Sequence, residues 1–85
     1  MTFTVTYKPS AEAELVELWM NSPQRQAVTD AANRVDVLLR VAPHEQGEAR
    51  DGETRILFER PLAMQFEIRD DDCLVEVLKV WWIGP

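Results

Sequence analysis

Four arginines, Arg50, Arg55, Arg60 and Arg69, fall within twenty residues, and seven of the nine basic residues of the chain are arginine. Arginine presents a planar fork of donors that can grip a phosphate or carboxylate through two parallel hydrogen bonds, so this cluster is a candidate anion site. The same stretch holds Glu53, Glu59, Glu67 and Asp70, and pairing with these carboxylates accounts for the arginines without any ligand. Other chemistries find little material. His44 is the only histidine, so a two-histidine metal site cannot be built within one chain. Beside Glu45 and Glu48 it reads as a solvated loop histidine at the negative end of a helix. There is no glycine-rich phosphate loop, no pair of cysteines and no helical His-Glu motif. Asp70, Asp71 and Asp72 read as turn formers, and they deny the single Cys73 the electropositive surround of a reactive thiol. Neither a metal nor a cofactor is expected.

The elements that must position these residues follow from periodicity. Phe3, Val5 and Tyr7 alternate with Thr2, Thr4, Thr6 and Lys8, the pattern of a strand with one buried face. Pro9 stops it, and Ser10 is placed to cap a helix whose Ala11, Leu15, Leu18 and Trp19 form an apolar stripe ending near Asn21. Ser22-Pro23 is a second start signal, so two helices joined by so short a connection fold back as a hairpin. Val28, Ala31, Ala32, Val35, Leu38, Leu39 and Ala42 share one face of the second helix, and Pro43 closes it. Residues 44–53 are polar, contain Gly47 and Gly52, and read as a surface loop.

Two strands follow, with Ile56 and Phe58 alternating with Arg55 and Glu59, then Met64, Phe66 and Ile68 alternating with Gln65, Glu67 and Arg69. A turn at Asp70 to Asp72 leads to a last strand, Leu74 to about Ile83, that is apolar on both faces. Residues 1–85 are thus expected to form a single α+β domain. Its helical hairpin packs on one face of a largely antiparallel four-stranded sheet, in the order β-α-α-β-β-β. In that arrangement Ile56, Phe58, Met64, Phe66 and Ile68 face the helices. Arg55, Glu59, Gln65, Glu67 and Arg69 face outward on an open, mixed-charge surface rimmed by Arg50, Arg55 and Lys79.

Composition narrows the partners. The net charge of -6, from fifteen acids and nine bases, argues against bulk electrostatic binding of nucleic acid. No apolar run approaches the ~20 residues of a membrane helix. The N-terminus MTFTVTYKPS lacks the basic and apolar regions of a signal peptide, and a single cysteine suits a reducing compartment, so a cytoplasmic location is expected. The terminal Trp81-Trp82 pair must place one indole on each side of the sheet, one as core beneath the helices and one as an exposed aromatic near arginine.

The opening FTVTYKPSAEAELVELW, the central GETRILFERPLAMQFEI and the closing DDDCLVEVLKVW resemble the RelE/ParE superfamily of bacterial type II toxin-antitoxin modules, also called plasmid stabilisation proteins, over essentially the whole chain. The resemblance implies a toxin that a separate antitoxin neutralises. Its target would be ribosome-bound messenger RNA, cut without a metal in RelE-like members, or DNA gyrase, inhibited by ParE-like members. It also implies that Arg50, Arg55 and Lys79 match basic positions that hold phosphate and stabilise developing charge in the ribonucleases. Other expected positions are replaced. A third-strand arginine falls on Ala63, and a terminal His-Arg falls on Trp82 and Ile83. That substitution of proton-transferring groups by apolar ones shifts the expectation from cleavage toward binding, with Arg60, Glu67, Arg69, Trp81 and Trp82 as candidate contacts for a target or partner. The rival readings are a ribosome-dependent endoribonuclease and a non-toxic protein-binding module that keeps the fold.

Overall fold

The computed structural model describes every residue except Met1 and Asp51. Strand β1 (Thr4–Tyr7) leads into helix α1 (Pro9–Asn21) and helix α2 (Arg25–Val41), followed by a 3-10 turn at Pro43–Glu45. Strands β2 (Glu48–Ala49), β3 (Thr54–Glu59), β4 (Leu62–Arg69) and β5 (Leu74–Trp82) complete the chain, with a second 3-10 turn at Asp70–Asp72. The sheet has five strands in the order β1-β5-β4-β3-β2, not the four expected. β1 runs parallel to β5 and every other pair is antiparallel. The extra strand lies inside the stretch read as a loop. With two exposed polar residues, Glu48 and Ala49, it is too short to show a period.

Both helices start differently from their sequence signals. α1 begins at Pro9, whose missing N–H costs nothing in the first turn, and Lys8 precedes it without a side-chain cap. Ser22 Oγ accepts a hydrogen bond from the Gln24 N–H (2.9 Å), a local turn that delays α2 to Arg25. Arg25 then locks the hairpin. Its Nε and Nη2 donate to the carbonyls of Trp19 (3.2 Å) and Met20 (3.1 Å) in the last turn of α1, and its guanidinium carbon lies 5.0 Å from the centre of the Trp19 ring. The Trp19 indole donates in turn to Thr29 Oγ1 at 3.1 Å.

The core lies between the hairpin and one sheet face. Val28, Ala31, Val35 and Leu39 of α2 meet Leu57, Leu62, Met64, Phe66 and Ile68 of β3 and β4 and Val75, Val77 and Val80 of β5. The face of α2 read from its period is thus the buried one. Phe66 is fully buried, and its truncation to alanine would cost about 3–5 kcal/mol, a large share of what a small domain has. Tyr7 is half-buried at the edge of the core. Burial pushes its hydroxyl above the ordinary 10.0, and the negative charge of Asp36 adds to the effect. Folding therefore favours the neutral phenol, a contribution complete below that value and lost as the pH rises past it.

The facing of β3 is the reverse of the sequence reading. Directly opposed residues of an antiparallel pair share a face, and Arg55, Leu57 and Glu59 oppose Phe66, Met64 and Leu62, all core-facing. Leu57 is therefore the buried residue, while Ile56 and Phe58 lie on the open face, Phe58 with 52% of its surface exposed. Glu59, expected on the open face, pairs with Arg34 of α2 at 2.8 Å. β5 changes phase as well. A register shift sets Lys79 opposite Gln65 but Val77 opposite Phe66, so Leu78 bulges and the side chains beyond it swap sides. Val75, Val77, Val80 and Trp82 consequently share the helix side, and Lys79 and Trp81 lie on the open one.

This register gives a direct test. Leu57→Ser should destabilise the domain by about 2–4 kcal/mol, by loss of core volume and burial of a hydroxyl, whereas Phe58→Ser should change stability by less than about 1 kcal/mol. Chemical denaturation of the two variants checks it. The opposite ranking would restore the alternation first read from the sequence.

Candidate functional site

The hairpin packs on one face of the sheet and leaves the other face open. Cross-strand rows run over it: Phe58, Ala63 and Trp81; then Ile56, Gln65 and Lys79; then Thr54, Glu67, Glu76 and Thr6. In the first row Ala63 is wholly buried between its aromatic neighbours, exposed Phe58 and half-buried Trp81. In the third, Glu67 and Glu76 stand directly opposite each other, a repulsive arrangement that Arg69 relieves. Arg69 bonds Glu76 at 2.9 Å and approaches Glu67 at 3.5 Å. The cross-strand ion pairing anticipated for this face is thus real at Arg69. Lys79, exposed in the middle row, has no ion-pair partner among the described residues.

The other candidate cations lie elsewhere and are engaged. Arg55, expected outward, starts from the helix side of β3 and turns its guanidinium to the carbonyls of Gln46 (Nε, 2.8 Å) and Gly47 (Nη2, 3.1 Å). It fastens the segment leading into β2. Gly47 is held at φ +67°, and a side chain there would place Cβ 2.3 Å from the Ile56 carbonyl oxygen, so only glycine fits the close approach. Arg50 contacts Glu48 Oε2 at 3.3 Å. Arg60 reaches the Pro85 carbonyl at 3.3 Å, and its own carbonyl accepts from Arg34 at 3.1 Å. Arg50 and Arg55 therefore belong to the β2–β3 edge while Lys79 belongs to the open face. The three do not converge on one point.

A polar cavity of about 210 Å³ does bring Arg55 near His44, with Glu53 and Asp70 in its walls. His44 is more constrained than a free loop histidine. Its Nε2 lies 2.6 Å from Asp70 Oδ1, and Phe3 packs edge-on against its ring with centroids 6.0 Å apart. The pair ties the end of α2 to the turn before β5. Carboxylates crowd this end, since a neighbouring cavity is walled by Glu53, Asp70, Asp71 and Asp72. An RNA phosphate would meet that negative field with Arg55 already committed to two carbonyls. Among the described residues no cluster of three or more His, Cys, Asp or Glu has the geometry to hold a metal ion. Among them no helix is long and apolar enough to cross a membrane.

The terminal tryptophans flank the other end of the sheet. One was expected to be largely buried against the hairpin, yet Trp82, on the helix side, keeps 39% of its surface exposed. It lies at the end of β5, past the last buried position, Val80. Glu14 of α1 reaches under this end, its Oε1 accepting the Val80 N–H at 3.0 Å. Sequence reasoning missed Glu14, since nothing in the residue order signals its bond to a strand 66 positions away. It missed Phe58 by assigning alternation to a run, Ile56-Leu57-Phe58, in which every residue is apolar.

No protein-family model matches the sequence, and neither does any curated protein. Solved structures do match in fold. The toxin-antitoxin ParDE system of P. aeruginosa contains a chain that superposes with a TM-score of 0.73 at 21% identity, covering 96% of this chain and 97% of that one. The RelBE2 toxin-antitoxin complex of Mycobacterium tuberculosis gives 0.73 at 19% identity, covering 96% and 92%. The isolated RelE toxin of E. coli gives 0.68 at 12% identity, covering 98% and 86%. A helical hairpin over one face of this sheet is the fold that the chain shares with these three structures, in keeping with the fold that the sequence resemblance implied. The chain carries that fold over nearly its whole length.

If Arg55 is a clamp on the β2 segment, Arg55→Ala should lower stability by about 1–3 kcal/mol, and Arg55→Lys should recover only part of the loss. Gly47→Ala, which strains the same segment, should cost at least about 1 kcal/mol. Thermal melts together with amide exchange over residues 46–56 check both. Unchanged exchange in Arg55→Ala would return this arginine to the pool of free cations.

Proposed function

We propose that the protein is the toxin component of a bacterial type II toxin-antitoxin module, binding a macromolecular target through the open face of its sheet and neutralised by a separate antitoxin. The observation that carries this reading is full-length likeness of fold to chains from toxin-antitoxin systems, joined to an open face that exposes Phe58, Lys79 and part of Trp81. Engagement through an aromatic row suits binding better than cleavage. Strand scission by a ribose 2'-hydroxyl needs proton transfer and charge neutralisation at one phosphate, and Arg50, Arg55 and Lys79 do not gather to supply them. Endonuclease activity is accordingly the lesser reading, and gyrase or another protein surface the favoured class of target.

Expression in bacteria from an inducible promoter should arrest growth, and co-expression of the protein encoded beside it should relieve the arrest. Phe58→Ala combined with Lys79→Ala should abolish toxicity while preserving the circular dichroism spectrum. Arg50→Ala should remain toxic. Assays of gyrase supercoiling and ribosome-dependent messenger cleavage with the purified protein then separate the targets. Harmless expression, with no binding to the neighbouring gene product, would sink the toxin reading and leave a binding module that retains only the fold.

A further inference from the structure

A cavity of about 230 Å³ opens between α1 and the end of β5, with Glu14, Glu17, Leu18, Trp81 and Trp82 among its walls. We infer that this cavity binds the cationic side chain, arginine or lysine, of a peptide segment belonging to a protein partner. The Trp82 indole, on the helix side of β5, and two carboxylates of α1 are the groups that recognise such a side chain. Aromatic faces attract a cation through the ring quadrupole, and carboxylates supply charge and hydrogen-bond acceptors.

Three features make the cavity available. β1 covers β5 only from Leu74 to Val77, so beyond Val77 the outer edge of β5 has no neighbouring strand among the described residues. Glu14 spends one oxygen on the Val80 N–H, which fixes the carboxylate in place and leaves its second oxygen for a ligand. Neither Glu14 nor Glu17 has a cationic partner among the described residues, since α1 carries three glutamates and no lysine or arginine.

The neighbouring surface argues for a cation carried on a peptide. Glu17 and Asn21 are shared with a broad hollow on the outer side of α1, where Val16 (49% exposed) and Met20 (59% exposed) offer an apolar step. A segment with a basic residue next to an apolar one would fill both. Nucleic acid is repelled by the three glutamates of α1, and a second copy of this chain would bring its own acidic helix and a net charge of -6. That the partner is the antitoxin rests on the proposed function; the cation site itself does not.

The test uses the full chain and three capped tripeptides, Leu-Arg-Leu, Leu-norleucine-Leu and Leu-Glu-Leu, followed by NMR at the indole N–H groups. The arginine peptide should shift the Trp82 signal saturably, while Trp19, bonded to Thr29, serves as the unmoved control. The glutamate peptide should do nothing. A Glu14→Gln, Glu17→Gln double variant, which keeps an acceptor for the Val80 N–H, should bind the arginine peptide at least about threefold more weakly. Equal shifts with norleucine, or none with arginine, would overturn the cation site. The same double variant mixed with the neighbouring gene product should lose affinity to a similar degree. An undiminished complex overturns the inference for that partner and leaves the toxin-antitoxin reading standing, whereas peptide binding with no complex at all keeps the site and removes the antitoxin as its source.

Discussion

A sheet covered by helices on one side only allows each strand a single phase, because a slip of one residue would carry its whole apolar set into water. In this molecule the β4–β5 ladder sets that phase. Leu62, Met64, Phe66 and Ile68 on β4 are all buried, and β5 must meet them with Val75, Val77 and Val80, a spacing that strict alternation cannot provide. The bulge at Leu78 supplies the missing residue. Everything around the sheet adjusts to it. β1 joins β5 in parallel only as far as Val77, and beyond that point α1 covers the strand, with Glu14 taking the Val80 N–H that no strand among the described residues accepts.

The same phase decides which side chains can act. On β3 it draws Leu57 inward and expels Phe58, and it turns Arg55 and Glu59 toward the helices, where one clamps the β2 segment and the other pairs with Arg34. On β5 it carries Lys79 and Trp81 to the open face and Trp82 to the helix side, near Glu14 and Glu17. Charges that look interchangeable in composition thus acquire different roles. Arg55 and Arg60 bond to backbone carbonyls, Arg69 relieves two opposed glutamates, and Lys79 is left to solvent.

How far the sequence could foresee this depends on whether a pattern had one solution. The buried face of α2 was legible because Val28, Ala31, Val35 and Leu39 recur at a spacing only a helix satisfies. β4 was legible because apolar and polar residues alternate strictly from Met64 to Arg69. β3 was not, since three consecutive apolar residues fit either phase and only the pairing with β4 decides between them. β2 could not be foreseen at two residues, because Arg55 and Gly47 stabilise it from outside its own sequence. The opposite facings of the terminal tryptophans were legible from alternation, but which of the two lies on the helix side is decided by the bulge.

The charge distribution also bears on what the open face can recognise. Affinity for nucleic acid grows with the number of phosphates neutralised, and each contact contributes roughly 0.9 to the slope of log affinity against log salt; a protein making ~6–10 such contacts binds strongly. Here Lys79 is unpaired among the described residues, and Arg69 on the same face is bound to Glu67 and Glu76. Freeing Arg69 for a phosphate would leave those two glutamates opposed across the strands, so the second contact costs part of what it gains. What the face offers instead is apolar area, Phe58, Ile56 and Trp81 around a buried Ala63, with charges at the margin. An aromatic cluster with charges at its margin is the anatomy of a protein-binding surface, and it suits contact with a folded protein better than with a bare polyanion.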